Sequence, residues 1–360
     1  GLVSSMKPIL PPLFAAALLV LAGCSSSGTP APDASDAAAK DVSGMIFAVL
    51  PHAVITYDGY QHYIDTAQES GVLSARASIA YATLIEQDIR AMGQAPSREA
   101  FAAEVAPYLE AASKDESYQS IETVLIRDYG MTHEEALSAF TEGFWLQYLM
   151  PLLQDAFIAQ GAAGNQDAQT LFTEYVTDLT QNRVNVLEGG DDAVILDGEA
   201  VALTDSQKLY VKYSGVYSRL EAMDTIVTGV AARTELKRIG REPDLSSIAD
   251  EKAANIEALE NIPEAAAQYD YIFSRLGIGK EAYYAEMDNI LELQHYYYEL
   301  STYCDEQYEQ LIQQFLADAQ DPEKQADAEL PPATADDYFY GELDRLAGNP
   351  VFLNTNPNAL

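Results

Sequence analysis

Side chains able to do chemistry are few in this chain and badly spaced for it. The four histidines, His52, His62, His133 and His295, stand in no His-Glu-x-x-His frame and beside no Cys-x-x-Cys pair, the spacings that gather ligands around zinc. The cysteines are Cys24 and Cys304. His295 and Cys304 could pair as base and thiol nucleophile, but nine residues along one helix is roughly 13 Å of rise, so they do not meet. No Gly-x-Ser-x-Gly elbow and no Gly-Lys-Ser/Thr phosphate loop occurs. Glu188-Gly-Gly-Asp-Asp192 with Asp197 lacks the alternating ligands and closing glutamate of a calcium loop, and reads as a turn. The sequence therefore predicts no catalytic residue, no metal site and no cofactor. What stands out is tyrosine: Tyr57, Tyr60 and Tyr63 in one cluster, Tyr296, Tyr297 and Tyr298 in another. Two readings are open. These rings fill cores between long helices, or they line a groove for extended polypeptide, to which tyrosine offers apolar contact with a hydrogen-bonding end.

Charge narrows the partners. There are 56 acidic and 20 basic residues in 360, a formal net charge of −36. Such a surface repels nucleic-acid phosphates and anionic lipid headgroups. The acidity reads as solubility or adaptation to salt. A hydrophobic content of 48% is that of a globular protein, with length enough for two cores. With Cys24 assigned as below, Cys304 is a lone thiol that reads as buried and inert.

The elements that must position these residues come in two sets. Shifted by 147 residues, 53–157 align with 200–304 without a gap. Ala53-Val54 falls on Ala200-Val201, Tyr63 on Tyr210, Leu73 on Leu220, Gly93 on Gly240, Pro96 on Pro243 and Gly130 on Gly277. Coincident glycines, proline and apolar period at one offset mark an internal duplication. Each half opens on short β-prone stretches, 45–56 and 193–203, the second with an Asp197-Gly198 hairpin signal. A long amphipathic helix follows in each, ending near Gly93 or Gly240. Ser97 and Asp244 are the expected N-caps of the next helix. A third helix stops at Gly130 or Gly277. The fourth starts at a Thr132–Glu135 capping box, or at Gly279. Between the halves 165–181 reads as helix and 183–187 as strand, and a strand closing each unit beside its own opening strand would be economical. The chain after 320 is acidic, with Pro331-Pro332 and Asn-Pro pairs, and reads as a loosely ordered tail.

Two resemblances carry a function. Leu21-Ala22-Gly23-Cys24, after an apolar run from Leu10 to Leu21 with Lys7 behind Met6, resembles a bacterial lipobox. That implies a leader over 1–23, lipid on Cys24, and a flexible Ser/Ala/Pro tether over 24–43. Val54-Ile-Thr-Tyr-Asp58, the helix ending Met92-Gly93, the Pro-Ser restart and Tyr129-Gly130-Met131-Thr-His-Glu-Glu135 are similar to the N-terminal chaperone domain of SurA-type and PrsA-type foldases. Asp197-Gly198-Glu199 with Leu203-Thr204-Asp205 resembles the hairpin that opens that domain; in the first half Pro51-His52 replaces the glycine turn. No stretch is long enough for the isomerase module of that family. The resemblance implies a mainly α protein of two tandem SurA-N-like helical repeats, 44–190 and 191–320, with short β-hairpins at their starts and an acidic tail over 321–360. It implies an extracytoplasmic, lipid-anchored protein that binds unfolded or exported polypeptides without catalysis. The alternative is a surface or assembly lipoprotein holding one folded partner.

Overall fold

In the computed structural model, which describes residues 40–359, helix dominates and strands form two small antiparallel sheets. The lipobox, Cys24 and most of the expected tether lie outside the described residues. The tether's last residues are already anchored: Val42 is buried, and Gln61 binds the Val42 amide and the Lys40 carbonyl.

The first half runs β1 (Ile46–Leu50), β2 (Ala53–Thr56), α1 (Gln61–Ala91), α2 (Arg98–Ser113), α3 (Glu116–Tyr129), α4 (His133–Glu142), α5 (Trp145–Gly164) and α6 (Ala168–Asp178), and ends on β3 (Val184–Asn185). The second runs β4 (Ala193–Leu196), β5 (Glu199–Ala202), α7 (Asp205–Ile239), α8 (Ile248–Asn261), α9 (Pro263–Leu276), α10 (Lys280–Gln320) and α11 (Ala335–Ala347), and ends on β6 (Val351–Phe352). Adding 147 to the bounds of α3 gives those of α9, so the duplicated sequence folds twice alike. The stops are those expected: Gly130, Gly240 and Gly277 take left-handed conformations with φ of 68°, 71° and 65°, and Thr132 and Glu135 form the capping box. Asp197 and Gly198, with φ of 49° and 81°, make the tight β4–β5 turn. Pro51-His52 joins β1 to β2 without positive φ, so the first hairpin forms although its glycine is missing.

Closure differs from the expectation. The strand ending the first half, β3, pairs with β4 of the second, and β6 at the end of the second pairs with β1 of the first. The sheets are therefore ordered β2-β1-β6 and β3-β4-β5. The cores follow the same exchange. Phe47 and Ile55 of the first hairpin share a cluster with Val216, Leu220 and Ile226 of α7, whereas Val194 and Leu196 of the second pack with Ile85 and Ile89 of α1. The halves interlock instead of folding as successive beads, because each hairpin is too small to bury its inner face alone.

The two long helices cross at their own equivalent positions. A side chain on Gly71 would meet Ser218 Oγ at 2.3 Å, and one on Gly215 would meet the Gln68 carbonyl at 3.4 Å. Ser218 is the 147-residue counterpart of Gly71, and Gly215 that of Gln68. Contact between equivalent positions marks the axis of an internal two-fold. Glycine is needed there so that the backbones can touch. Two buried arginines on these helices tie the exchanged strands down. Arg219 donates to Asp65 Oδ1 at 2.6 Å and to the Tyr57 hydroxyl at 3.0 Å, and that hydroxyl donates to the Asn354 carbonyl. Arg76 reaches the carbonyls of Glu188 and Ala193 at 3.2 and 3.1 Å.

Two expectations need correction. The tail is ordered through residue 359: α11 buries Phe339 and Leu343, Phe352 sits in the core, and Thr355 is fully buried. Those apolar residues outweigh the acidic composition. Asp244 caps no helix; it accepts from the Ser246 amide in a turn, and α8 starts later, after Ser247. Tyr308, Leu311 and Phe315 lie on the end of α10, 41 residues long, within which Cys304 is buried and its thiol is pushed up to about 11 by that burial.

Candidate functional site

On one side of the α1–α7 crossing the helices separate into a cleft of about 390 Å³. α1 supplies Tyr63, Thr66, Ala67 and Ser70, one helical face at spacings of three and four. α7 supplies Ser218, Glu221, Ala222 and Thr225 by the same spacing, and α9 and α10 supply Tyr269 and Tyr283. The rings of Tyr269 and Tyr283 lie 6.0 Å apart, and Phe273 packs behind at 5.3 Å from Tyr283. Hydroxyl groups of Tyr269 and Tyr283 share a hydrogen bond. The lining carries one carboxylate and no lysine, arginine or histidine. The nearby guanidiniums face elsewhere, Arg219 to Asp65 and Arg275 to Glu69 and Asp191.

The internal two-fold shows what is special about this cleft. The counterparts of Thr66 and Ser70 are Tyr213 and Tyr217, both buried, so the equivalent space on the other side of the crossing is filled. Tyr213 packs on Phe140 of α4 with ring centroids 6.2 Å apart. Small residues at 66 and 70 leave the cleft open. They also leave the Thr66 hydroxyl buried with no hydrogen-bond partner, an uncommon state for a polar group.

Glu221 lies half-buried in this wall. Burial raises its carboxyl above the usual range, and Asp224 one turn on adds to the effect, against a hydrogen bond from Tyr217. At one end of the cleft Tyr63 is fixed through its backbone. α1 has no side-chain cap of its own at Tyr60. Instead Glu286 of α10 accepts from the Tyr63 amide at 2.9 Å and from that of His62, capping α1 from the other half.

Burial nevertheless wins at Glu286. Its carboxyl is raised to about 7, with Asp65 and Asp58 contributing, although the two amides oppose. The folded protein then holds this proton more tightly than the unfolded chain, so the contribution of Glu286 to stability is full below pH 4.5 and is lost as pH rises to 7. The expected loss is about 2–3 kcal/mol, and Glu286→Gln should flatten that part of the profile. Urea midpoints from pH 4.5 to 8 test this; equal slopes in both proteins would refute it.

The tyrosines singled out in the sequence are divided by the fold. Tyr57, Tyr60 and Tyr296 are core residues, hydrogen-bonded respectively to Arg219, Arg233 and Glu242. Tyr297 packs edge-on against Phe339 at 5.2 Å. Tyr298 is 66% exposed and lies away from the cleft. Only Tyr63 of the six lines it. The fold adds Tyr269, Tyr283, Thr66 and Glu221, which a comparison of the two halves at positions 66 and 70 could have flagged.

Among the described residues no helix is long and apolar enough to cross a membrane, and no three His, Cys, Asp or Glu side chains are grouped to hold a metal ion. No family model, curated protein or solved structure matches the chain.

Proposed function

We propose that the protein is a non-catalytic, extracytoplasmic binding lipoprotein, held to the membrane through Cys24, that engages segments of unfolded or exported polypeptide in the cleft between its halves. The observation that carries this reading is the cleft itself, open on one side of an internal two-fold and filled by tyrosines on the other. Rings with hydroxyl edges suit varied side chains. The lipobox and the SurA-like pattern, doubled here in interlocked form, agree with it. The arrangement of hydroxyls around one carboxylate suits binding.

The test is aggregation of an unfolded client at equimolar ratio. The protein should slow light scattering several-fold. Ser70→Tyr, which installs the residue its counterpart Tyr217 already has, should fill the cleft, keep the fold and remove the protection. A variant as protective as the parent would sink the assignment to this cleft. A stoichiometric complex with one folded protein, and none with unfolded chains, would favour the alternative of a dedicated partner.

A further inference from the structure

We infer that the seam cleft is an ammonium site: it takes a primary alkylammonium group, held by Glu221 and the Thr66 hydroxyl and enclosed by the rings of Tyr63, Tyr269 and Tyr283. This deepens the preceding reading and rests on it only in taking the cleft as the ligand site.

Four observations converge. The lining has a carboxylate and no cation, and the flanking guanidiniums are committed to other carboxylates. A neutral ligand would leave the Glu221 carboxyl without an opposite charge in the cleft, whereas a cation supplies one. The Thr66 hydroxyl, 2% exposed and without a partner, is an acceptor waiting inside the cleft. An ammonium has three N–H donors, and Glu221 with the hydroxyls of Thr66 and its neighbours Ser70 and Ser218 can receive them. Tyrosine faces attract cations, most strongly where water is excluded. A net charge of −36 raises the local concentration of any cation at such a recess. Burial raises the Glu221 carboxyl despite the hydrogen bond from Tyr217, and a bound cation would draw it back down.

A volume of about 390 Å³ admits a short alkylamine or one lysine side chain, two sources of the same chemistry. Calorimetric titration of the purified protein separates them. n-Butylammonium should bind at one site, and n-butanol, equal in length and neutral, at least about tenfold more weakly. Glu221→Gln should weaken butylammonium by a similar factor. Thr66→Val, equal in shape, should weaken it by less, about threefold. Acetylation of the lysines of an unfolded client should abolish its binding if lysine is the source, and leave it unchanged if a free amine is. Equal binding of butanol, an unaltered Glu221→Gln variant, or no binding of butylammonium would each overturn the inference. The two readings fail separately. A client that binds while butylammonium does not leaves the polypeptide reading standing, and butylammonium that binds without competition from any client leaves only the ammonium site.

Discussion

Removal of the residues after Leu330 is expected to cost roughly 5–9 kcal/mol, the burial lost with Phe339, Leu343 and Phe352 at about 1.5–3 kcal/mol each. All three are buried, Phe339 and Leu343 against α7 and α10 and Phe352 in the core beneath the first sheet. A domain is usually stable by only about 5–15 kcal/mol, so the shortened chain should be largely unfolded. The loss is also one of polar partners. Arg127 and Tyr129 would lose the carbonyls of Phe352 and Thr355, and the Ile46 carbonyl would lose the Asn354 side-chain amide that donates to it. Far-ultraviolet circular dichroism and urea unfolding provide the measurement. Should the truncated chain not accumulate, Phe352→Ala and Phe339→Ala test the same point, each at about 3–5 kcal/mol. A truncated protein with the parent's urea midpoint would mean that the tail is ornamental.

Arg219→Met is expected to destabilise by about 3–5 kcal/mol, because it leaves the Asp65 carboxylate buried without its cation. Arg219 is 1% exposed and Asp65 6%. The pair spans the seam, from α7 to α1, and Gln68 and Tyr57 complete the guanidinium's partners. The sign of the effect depends on what remains. In the double variant Asp65→Leu with Arg219→Met no stranded charge is left, and most of the loss should be recovered. Urea midpoints of the two singles and the double form the cycle. A cost below about 1 kcal/mol for Arg219→Met would show that water reaches Asp65 and that the seam is looser than described.

Local structure was legible in the sequence wherever local chemistry decides it. Gly240 and Gly277 mark helix ends because only glycine takes a left-handed cap freely. Thr132 with Glu135 marks a start because it satisfies two free amides at once. The duplication was legible because the apolar period is retained at one offset. Asp244 misled because its side chain serves a turn as readily as a cap. The tail misled because its charge hides four well-spaced apolar positions in Phe339, Leu343, Ala347 and Phe352. The strand exchange has no local signature: β3 and β6 are two residues long, and their partners are chosen by packing. For the cleft, the tyrosine clusters pointed to the right residue type at mostly the wrong positions. Tyr57 and Tyr60 lie in the turn leading into α1, and their side chains face the core, while Tyr63 lies on the face of α1 turned to the cleft. Glu221 and Glu286 were indistinguishable among 56 acidic residues, since only folding removes their water.

The pairing of β6 with β1 also sets an order of events in the life of the chain. Ile46 and Asn354, bonded across that sheet, are 308 residues apart. Synthesis delivers Ile46 early, but its sheet stays open at one edge until Val351 and Phe352 arrive. Closing so long a loop costs entropy that nearer contacts do not, and slows folding accordingly. A chain still emerging from a ribosome therefore keeps its first hairpin unsealed and its halves free to separate. Arrival of Phe352 closes the first sheet and joins the two halves.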